Sequence, residues 1–183
     1  MDSGKVHDDL LARHQAGDPA AFDLLVKEMA PRLKGFFQRQ GSEAATAEDL
    51  TQNVFVRVLK SLDRYQPSGQ MEAYFLRIAR NLWIDHQRRA ARFHRVEDAS
   101  EEVDQRPGPE LEVQQRDRAA RVRSALADLD PAVRELLELA ILQRLPYKEV
   151  AELLQIPIGT VKSRVFYALR KLREELRVLE DEA

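Results

Sequence analysis

The segment from Pro146 to Leu176 constrains the fold most, because two helical hydrophobic patterns follow each other across a short break. The first pattern starts after a proline, which suits the beginning of a helix, and repeats apolar residues at helical spacing. These residues are Val150, Ala151, Leu153 and Leu154. The second pattern begins near Pro157, which suits the first position of a new helix. We therefore expect two helices joined by a tight turn.

The second helix of this pair is predicted to be amphipathic. Apolar residues fall on one stripe at about 100° per residue: Val161, Val165, Ala168, Leu169, Leu172 and Leu176. The opposite face carries Thr160, Ser163, Phe166, Tyr167 and Arg170, with Lys162 and Arg164 on its flanks. This pattern is typical of a helix-turn-helix, whose second helix can enter the major groove of DNA. Gly159 would let phosphate approach the backbone N–H groups near that helix start. A plain helical hairpin with a solvated polar face fits the periodicity equally well.

The composition favours an all-α protein. The chain has 183 residues, of which 44% are apolar, enough for one compact domain or two small ones. Seven glycines and eight prolines are few for a loop-rich β protein. The absence of cysteine excludes disulfides and thiolate metal sites and agrees with a reducing cytoplasm. We see neither a signal peptide nor an apolar run of roughly 20 residues, so we expect a soluble cytoplasmic protein.

The charge is unevenly distributed, although the net charge is only −2. Residues 74–95 carry six Arg against Asp85, residues 96–118 carry eight acidic residues against three Arg, and residues 143–177 carry eight basic residues against four Glu. Two basic blocks therefore flank an acidic one, which favours two contact surfaces for an anionic partner. The alternative is that these runs are ordinary solvated helix faces.

Before residue 96 the pattern predicts four helices with one shared core. They cover 5–16, 19–40, a third ending at Leu62, and about 70–95. We expect Asp18 and Pro19 to start the second helix, Pro31 to kink it, and Thr46 with Asp49 to cap the third. The core-facing residues expected are Phe22, Leu25, Val26, Met29, Leu33, Leu50, Val54, Val58, Leu62, Phe75, Ile78, Ala79, Leu82 and Trp83.

The predicted fold is two small helical domains, 1–95 and 112–183, joined by a linker. Residues 96–111 are acidic, lack periodicity and contain Pro-Gly-Pro, as in a flexible linker. Two further helices are expected to support the helix-turn-helix. The first carries Val113, Val122, Ala125, Leu126 and Leu129. The second follows the Asp130-Pro131 cap with Val133, Leu136, Leu137, Ala140 and Ile141.

Three segments, in order along the chain, resemble the extracytoplasmic-function (ECF) group of bacterial sigma factors. AEDLTQNVFVRVLKSL (47–62) is similar to region 2.2, YFLRIARNLWIDHQRR (74–89) to regions 2.3 and 2.4, and IPIGTVKSRV (156–165) to region 4. The resemblance implies a protein without catalytic residues, cofactor or metal. It implies docking on core RNA polymerase, recognition of promoter DNA and help in opening it, and commonly inhibition by an anti-sigma factor.

The resemblance also implies roles for individual residues. Region 2.2 would contact the β′ clamp helices through Asp49, Gln52, Asn53, Phe55 and Val56, and region 4 would meet the β flap. The −10 element would be contacted by Tyr65, Tyr74, Arg77, Arg80, Asn81, Asp85 and Arg88. The −35 element would be contacted by Thr160, Lys162, Ser163, Arg164, Phe166 and Tyr167. The acidic linker could mimic phosphate in a polymerase channel or simply act as a spacer.

Some positions depart from the family pattern or have a plainer explanation. Phe75 stands where Trp is usual, and Asn53 replaces a common Glu, which puts its polymerase contact in doubt. Tyr167 and Leu169 replace residues that are often basic, which would alter the −35 preference. For Phe55 and Val56, simple burial explains the apolar side chain as well as a polymerase contact does.

Two other functional classes compete with this interpretation. A helix-turn-helix regulator acting without polymerase core would be expected to form a homodimer on a palindrome. A hydrolase or nuclease would need a metal or catalytic cluster, but no HExxH or comparable spacing exists. We expect the histidines at 7, 14, 86 and 94 to be surface or locally satisfied side chains.

We expect the free protein to show little specific promoter binding and no ability to open DNA alone. Opening on the order of ten base-pair steps at ~1.4 kcal/mol each costs about 14 kcal/mol. One or two aromatic stacking platforms return only about 1–3 kcal/mol per base, so polymerase must supply the difference. Fluorescence of 2-aminopurine placed in the −10 element measures the opening. Specific melting by the isolated protein would contradict this expectation.

Overall fold

The computed structural model describes residues 9–67, 69–94, 126 and 129–181, and for residues 93–94 and 175–181 it describes the backbone only. The chain divides into two units, Met1–Glu97 and Asp98–Ala183. Within the described ranges the regular secondary structure is entirely helical, which confirms the all-α prediction. The predicted linker, 96–111, lies outside these ranges. None of the helices described is both long and apolar enough to cross a membrane.

The first unit contains α1 (Leu10–Gln15), α2 (Pro19–Arg39), α3 (Ala44–Lys60), a 3-10 turn (Leu62–Arg64) and α4 (Met71–His94). Asp18 caps α2 as predicted, since its Oδ1 accepts from the N–H groups of Ala20 and Ala21 at 3.1 and 3.3 Å. Arg13 donates to the same carboxylate, and this hydrogen bond holds the pKa of Asp18 below its usual value of 3.8. α2 continues through Pro31 to Arg39.

The predicted cap of α3 is wrong. The helix begins at Ala44, two residues before Thr46, with Glu43 at the N-cap position and no side-chain cap bond. Alanine has a high helix propensity, so Ala44 and Ala45 extend the first turn upstream of Thr46. The helix also ends at Lys60, and Leu62 belongs to the following 3-10 turn.

The first unit has one apolar core, built mainly from α2, α3 and α4. α2 packs against α1, α3 and α4, and α3 packs against α4. Most predicted core positions are buried, while Phe22, Val26, Leu62 and Ile78 are half-buried. Phe75, which stands where the resemblance leads to the expectation of Trp, is fully buried. The phenyl ring therefore fills this core position and exposes no apolar surface. The largest fully buried side chains of the unit include Phe36, Phe37, Phe75, Leu11, Leu25, Met29, Leu33 and Leu76.

The second unit contains α5 (Pro131–Leu137), a π-helical turn (Glu138–Leu142), α6 (Tyr147–Leu154) and α7 (Ile158–Asp181). Asp130 caps α5 as predicted, accepting from the N–H of Ala132 at 2.9 Å. Leu126 and Leu129 of the preceding predicted helix are described and Leu129 is buried, while Val113, Val122 and Ala125 lie outside the described residues.

The π turn overturns one expected core position. Gln143 N–H donates to the carbonyl of Glu138, five residues earlier, at 2.9 Å. Because a π turn adds a residue to the helical repeat, the side chains that follow rotate away from their expected direction. Ile141, predicted to face inward, is therefore exposed. Glu138 is buried, and its carboxylate accepts a hydrogen bond from Gln143 Nε2 at 2.9 Å.

Two neighbouring leucines of α2 test the core of the first unit. Leu25 is 0% exposed and Leu24 is 46% exposed. We expect Leu25→Ala to lower the free energy of unfolding by about 2–5 kcal/mol, because it leaves a cavity, and Leu24→Ala to lower it by less than about 0.5 kcal/mol. Urea unfolding followed by fluorescence of Trp83, the one tryptophan of the chain, reports on this unit. Equal effects of the two substitutions would contradict the packing.

Candidate nucleic-acid interface

The predicted helix-turn-helix is present as α6, a short turn and α7. α6 ends at Leu154, and Gln155 adopts the left-handed conformation with φ 56° and ψ 42°. The chain reverses there, and Ile156 N–H donates to the carbonyl of Ala151 at 3.1 Å. Pro157 immediately precedes α7, and its carbonyl accepts from Thr160 and Val161 at 2.9 and 3.1 Å. The turn therefore fixes where α7 begins.

Burial of one stripe sets the rotation of α7. Val161, Val165 and Ala168 are buried, and the helix packs against both α5 and α6. Leu169 lies at the edge of this stripe and is exposed, contrary to the prediction, because it is displaced by about 70–100° from the buried centre. Leu172 is half-buried, and the structure describes only the backbone of Leu176.

The residues predicted to contact DNA lie on the other side of α7 or on its flanks. Ser163, Lys162 and Arg164 are exposed, and Thr160 is half-buried at the N-terminal end. Residues 158–173 include five basic and no acidic side chains. A Cβ added to the exposed Gly159 would meet no protein atom within 4 Å, so packing within the chain does not require glycine there. The face is positive, polar and open to a partner.

Two aromatic rings project from the same face. Phe166 is 62% exposed and Tyr167 is 58% exposed. Their ring centroids are 5.5 Å apart in an edge-to-face arrangement, and the Arg170 guanidinium carbon lies 5.3 Å from the Tyr167 centroid. Arg170 Nε also lies 3.8 Å from Glu174 Oε1. These contacts hold the two rings against each other and against a basic side chain on the surface.

A second positive face lies on α4. Arg77, Asn81 and Arg88 recur at helical spacing and are all exposed. Asp85 and Arg80 are half-buried, and Arg80 makes further interactions. The apolar side of α4 carries Phe75, Leu76, Ala79, Leu82 and Trp83 in the core. The predicted −10 residues of this helix therefore lie mainly on its solvent side.

Tyr65 is not on that solvent side. Its side chain is 7% exposed, and its hydroxyl donates to Asp9 Oδ2 at 2.7 Å. Gln15 Nε2 donates to the carbonyls of Leu62 and Tyr65 at 2.8 and 3.3 Å, which ties α1 to the segment before α4. In this conformation the ring is not accessible to a base, whereas the sequence predicted a direct contact of Tyr65 with the −10 element. It supports the 62–67 segment from inside.

Tyr74 joins the same cluster. Its ring centroid lies 5.0 Å from that of Tyr65, and its hydroxyl and Ser61 Oγ are 2.7 Å apart. The side chain is half-buried. Sequence reasoning missed Asp9 and Gln15, because they lie about 50 residues before the groups they hold and no local pattern connects them.

The predicted polymerase-contacting residues of α3 separate into two groups. Asp49, Gln52, Asn53 and Val56 are exposed, with Val56 at 46%. Phe55 is half-buried between the rings of Phe22 and Phe75, with centroids at 6.3 and 5.6 Å. Leu59, which the sequence analysis did not single out, is exposed three residues after Val56. α3 therefore presents a mixed polar and apolar strip to a partner.

Histidine and acidic side chains do not gather into a metal site in the described part of the chain. His14 lies against Phe22 with centroids 4.9 Å apart, and His86 stacks on Trp83 at 5.5 Å. His7 lies outside the described residues, as does the side chain of His94.

Comparison with known proteins identifies both units. The family model of Sigma-70 region 2 matches residues 25–93, and that of Sigma-70, region 4 matches residues 125–174. The chain is 35% identical over 167 residues to the ECF RNA polymerase sigma factor SigE of Mycolicibacterium smegmatis, covering 87% of this chain and 64% of that protein. It is 34% identical over 160 residues to the ECF RNA polymerase sigma factor RpoE of Cereibacter sphaeroides, covering 87% and 88%.

A solved structure agrees with these matches. The sigma factor RpoE from Bartonella quintana, in complex with the anti-sigma factor NepR, gives a TM-score of 0.68 at 26% identity and covers 86% of this chain and 97% of that one. Two helical units that match regions 2 and 4 define a sigma-70 family protein. More particularly, the chain belongs to the ECF group of RNA polymerase sigma factors, which confirms the resemblance found in the sequence.

The Tyr65–Asp9 bond predicts a pH-dependent contribution to stability. Burial, together with the hydrogen bond to the Asp9 carboxylate, raises the pKa of Tyr65 above its usual value of 10.0. Because the pKa is raised in the folded state, the contribution of the Tyr65 hydroxyl to the free energy of unfolding is complete below pH 10.0 and is lost as the pH rises above it. We expect Tyr65→Phe to cost about 1–3 kcal/mol at neutral pH, and this difference to shrink in alkaline solution.

Urea unfolding monitored by Trp83 fluorescence at neutral and alkaline pH measures the difference between wild type and Tyr65→Phe. The exposed Tyr167→Phe is the control and should change the free energy of unfolding by less than about 0.5 kcal/mol. A pH-independent difference for Tyr65→Phe would contradict the role of its hydroxyl.

Proposed function

We propose that this protein docks on core RNA polymerase and directs it to promoters whose −10 and −35 elements it contacts. Membership of the ECF sigma factor group supports this function. The single structural observation that carries it is the rotation of α7, which buries Val161, Val165 and Ala168 and leaves a basic, polar face free of acidic residues up to Arg173. Such a face suits the phosphates and base edges of a major groove.

The −35 contact is proposed for Thr160, Lys162, Ser163, Arg164, Phe166 and Tyr167 on α7. Lys162 and Arg164 can bind phosphate or guanine, since guanine presents the acceptors O6 and N7 in the major groove. Ser163 Oγ donates to the carbonyl of Thr160 at 3.2 Å and keeps its lone pairs for an incoming donor. The same unit would bind the β flap of polymerase.

The −10 contact is proposed for α4, through Tyr74, Arg77, Arg80, Asn81, Asp85 and Arg88. Arg77 and Arg88 are exposed cations that suit the DNA backbone, and the Asn81 amide can both donate to and accept from an unpaired base. Tyr65 would act indirectly, because its buried ring supports the 62–67 segment that precedes α4.

The contact with the polymerase β′ clamp helices is proposed for α3. Asp49, Gln52, Asn53 and Val56 are exposed on one strip, and the apolar Val56 adds area that a partner can bury. Phe55 would help by holding the strip against the core, since it lies between Phe22 and Phe75. Because the Bartonella quintana relative was solved with an anti-sigma factor, we propose that an anti-sigma factor binds this chain too.

The protein would do no covalent chemistry of its own and would need no cofactor, since all its work is binding. It would act in the cytoplasm, where polymerase and promoter meet. Residues 96–111 would connect its two DNA contacts.

Reconstitution with purified core polymerase tests this function. We expect the protein to co-elute with core in gel filtration and to direct transcription from a subset of a promoter library. A homodimer that ignores core would instead indicate a helix-turn-helix regulator and would refute the proposal.

Two substitutions should separate the contacts. Val56→Asp places a charge on the α3 strip and should weaken core binding by about tenfold or more. Gln38→Asp, which adds the same charge at an exposed position of α2, is its matched control. Arg164→Ala should leave core binding intact and reduce promoter binding about 5- to 150-fold, as expected for loss of an arginine contact. Fluorescence anisotropy with labelled core and labelled promoter measures both affinities.

A further inference from the structure

The exposed aromatic pair of α7 is not explained by folding. Phe166 and Tyr167 lie on the face opposite the buried stripe, at 62% and 58% exposure. Burying them would stabilise the protein, yet the fold leaves both rings in solvent. Neither side chain carries a charge that would attract phosphate. Their apolar surface is therefore available to a partner of α7.

The position of the rings relative to the polar residues indicates what that surface meets. On an α-helix, Ser163 and Arg170 lie near the centre of the face, and Phe166 and Tyr167 lie on either side of that line. A helix that brings Ser163 to a base edge thus brings both rings into the same groove. Arg170, 5.3 Å from the Tyr167 centroid, restricts the movement of that ring.

The chemistry of the major groove offers few apolar partners. Base edges there present hydrogen-bond donors and acceptors, and the apolar feature among the four bases is the C5-methyl group of thymine. Cytosine presents a C–H at the corresponding carbon, unless it is methylated. An aromatic ring on a groove-facing helix thus gains contact with thymine that it cannot gain with cytosine.

We propose that Phe166 and Tyr167 recognise thymine methyl groups in the −35 element, so that this sigma factor requires thymine at one or two positions there. This inference rests on the proposed function and specifies its −35 preference. It assigns to the two rings a contact based on shape and apolar area, and leaves hydrogen bonding and phosphate contact to Thr160, Ser163, Lys162 and Arg164.

The experiment changes the DNA and leaves the protein intact. A promoter with a randomised −35 element is selected by transcription with the reconstituted holoenzyme, and the selected promoter is then synthesised with deoxyuridine in place of each −35 thymidine in turn. Deoxyuridine keeps every hydrogen-bonding group and lacks only the methyl group. We expect about a fourfold loss of promoter affinity at one or two positions, the factor that corresponds to one buried methyl group.

Protein variants then assign the effect to the rings. With Phe166→Ala or Tyr167→Ala in the holoenzyme, thymidine and deoxyuridine should bind equally well at the position that ring contacts. Tyr167→Phe, which keeps the ring, should retain the discrimination. A thymine-to-cytosine change at the same position should be partly rescued by 5-methylcytosine. Deoxyuridine outside the −10 and −35 elements is the control.

The outcomes separate the two proposals. If the holoenzyme transcribes but its selected −35 element lacks thymine, or if deoxyuridine is equivalent to thymidine throughout, the methyl inference is wrong and the sigma function stands. If the protein neither binds core nor supports transcription from any promoter, the proposed function itself is wrong.

Discussion

The packing of α7 against α5 and α6 is the contact on which the functional surface depends. Val161, Val165 and Ala168 are the residues buried there, and they fix the rotation of a helix that carries its polar residues on the other side. A rotation of one residue, about 100°, would turn an edge of the basic face, with Lys162 or Arg164, into the domain. The small apolar side chains of the stripe therefore decide which residues DNA can meet.

In the first unit, α3 and α4 likewise bury one side in the core and expose the other side to solvent. α4 buries Phe75, Leu76 and Ala79 and keeps Arg77, Asn81 and Arg88 in solvent, while α3 buries Val54 and Val58 and exposes Val56. Each of the three proposed contact surfaces is thus the outer side of a helix whose inner side belongs to the core. Stability and partner binding are divided between opposite sides of the same helices, so surface residues can vary with little effect on folding.

Among the described residues, hydrophobic periodicity predicted the helices and the helix-turn-helix correctly because burial largely follows the helical repeat in a regular helix. It failed at the edge of the buried stripe of α7, where Leu169 is exposed, at one helix start, and where the backbone departs from the helical repeat. The π turn at Glu138–Leu142 rotates Ile141 into solvent, and Ala44 starts α3 ahead of the predicted cap. It also could not find the hydrogen bonds from Tyr65 to Asp9 and from Gln15 to the carbonyls of Leu62 and Tyr65, since these groups are far apart in the chain.

By itself, the sequence determined the all-α class, the two basic blocks and the family, because periodicity, charge and motif order are properties of the chain as written. Periodicity also placed Phe166 and Tyr167 on the outer face of α7, and only the tertiary structure decided that Tyr65 is not available to a partner. Phe166 and Tyr167 stand in solvent and Tyr65 is buried, although all three were expected at DNA. The reason is that exposure depends on which neighbours pack around a ring. For Tyr65 those neighbours include Asp9, which lies 56 residues earlier in the chain and whose carboxylate accepts a hydrogen bond from the Tyr65 hydroxyl.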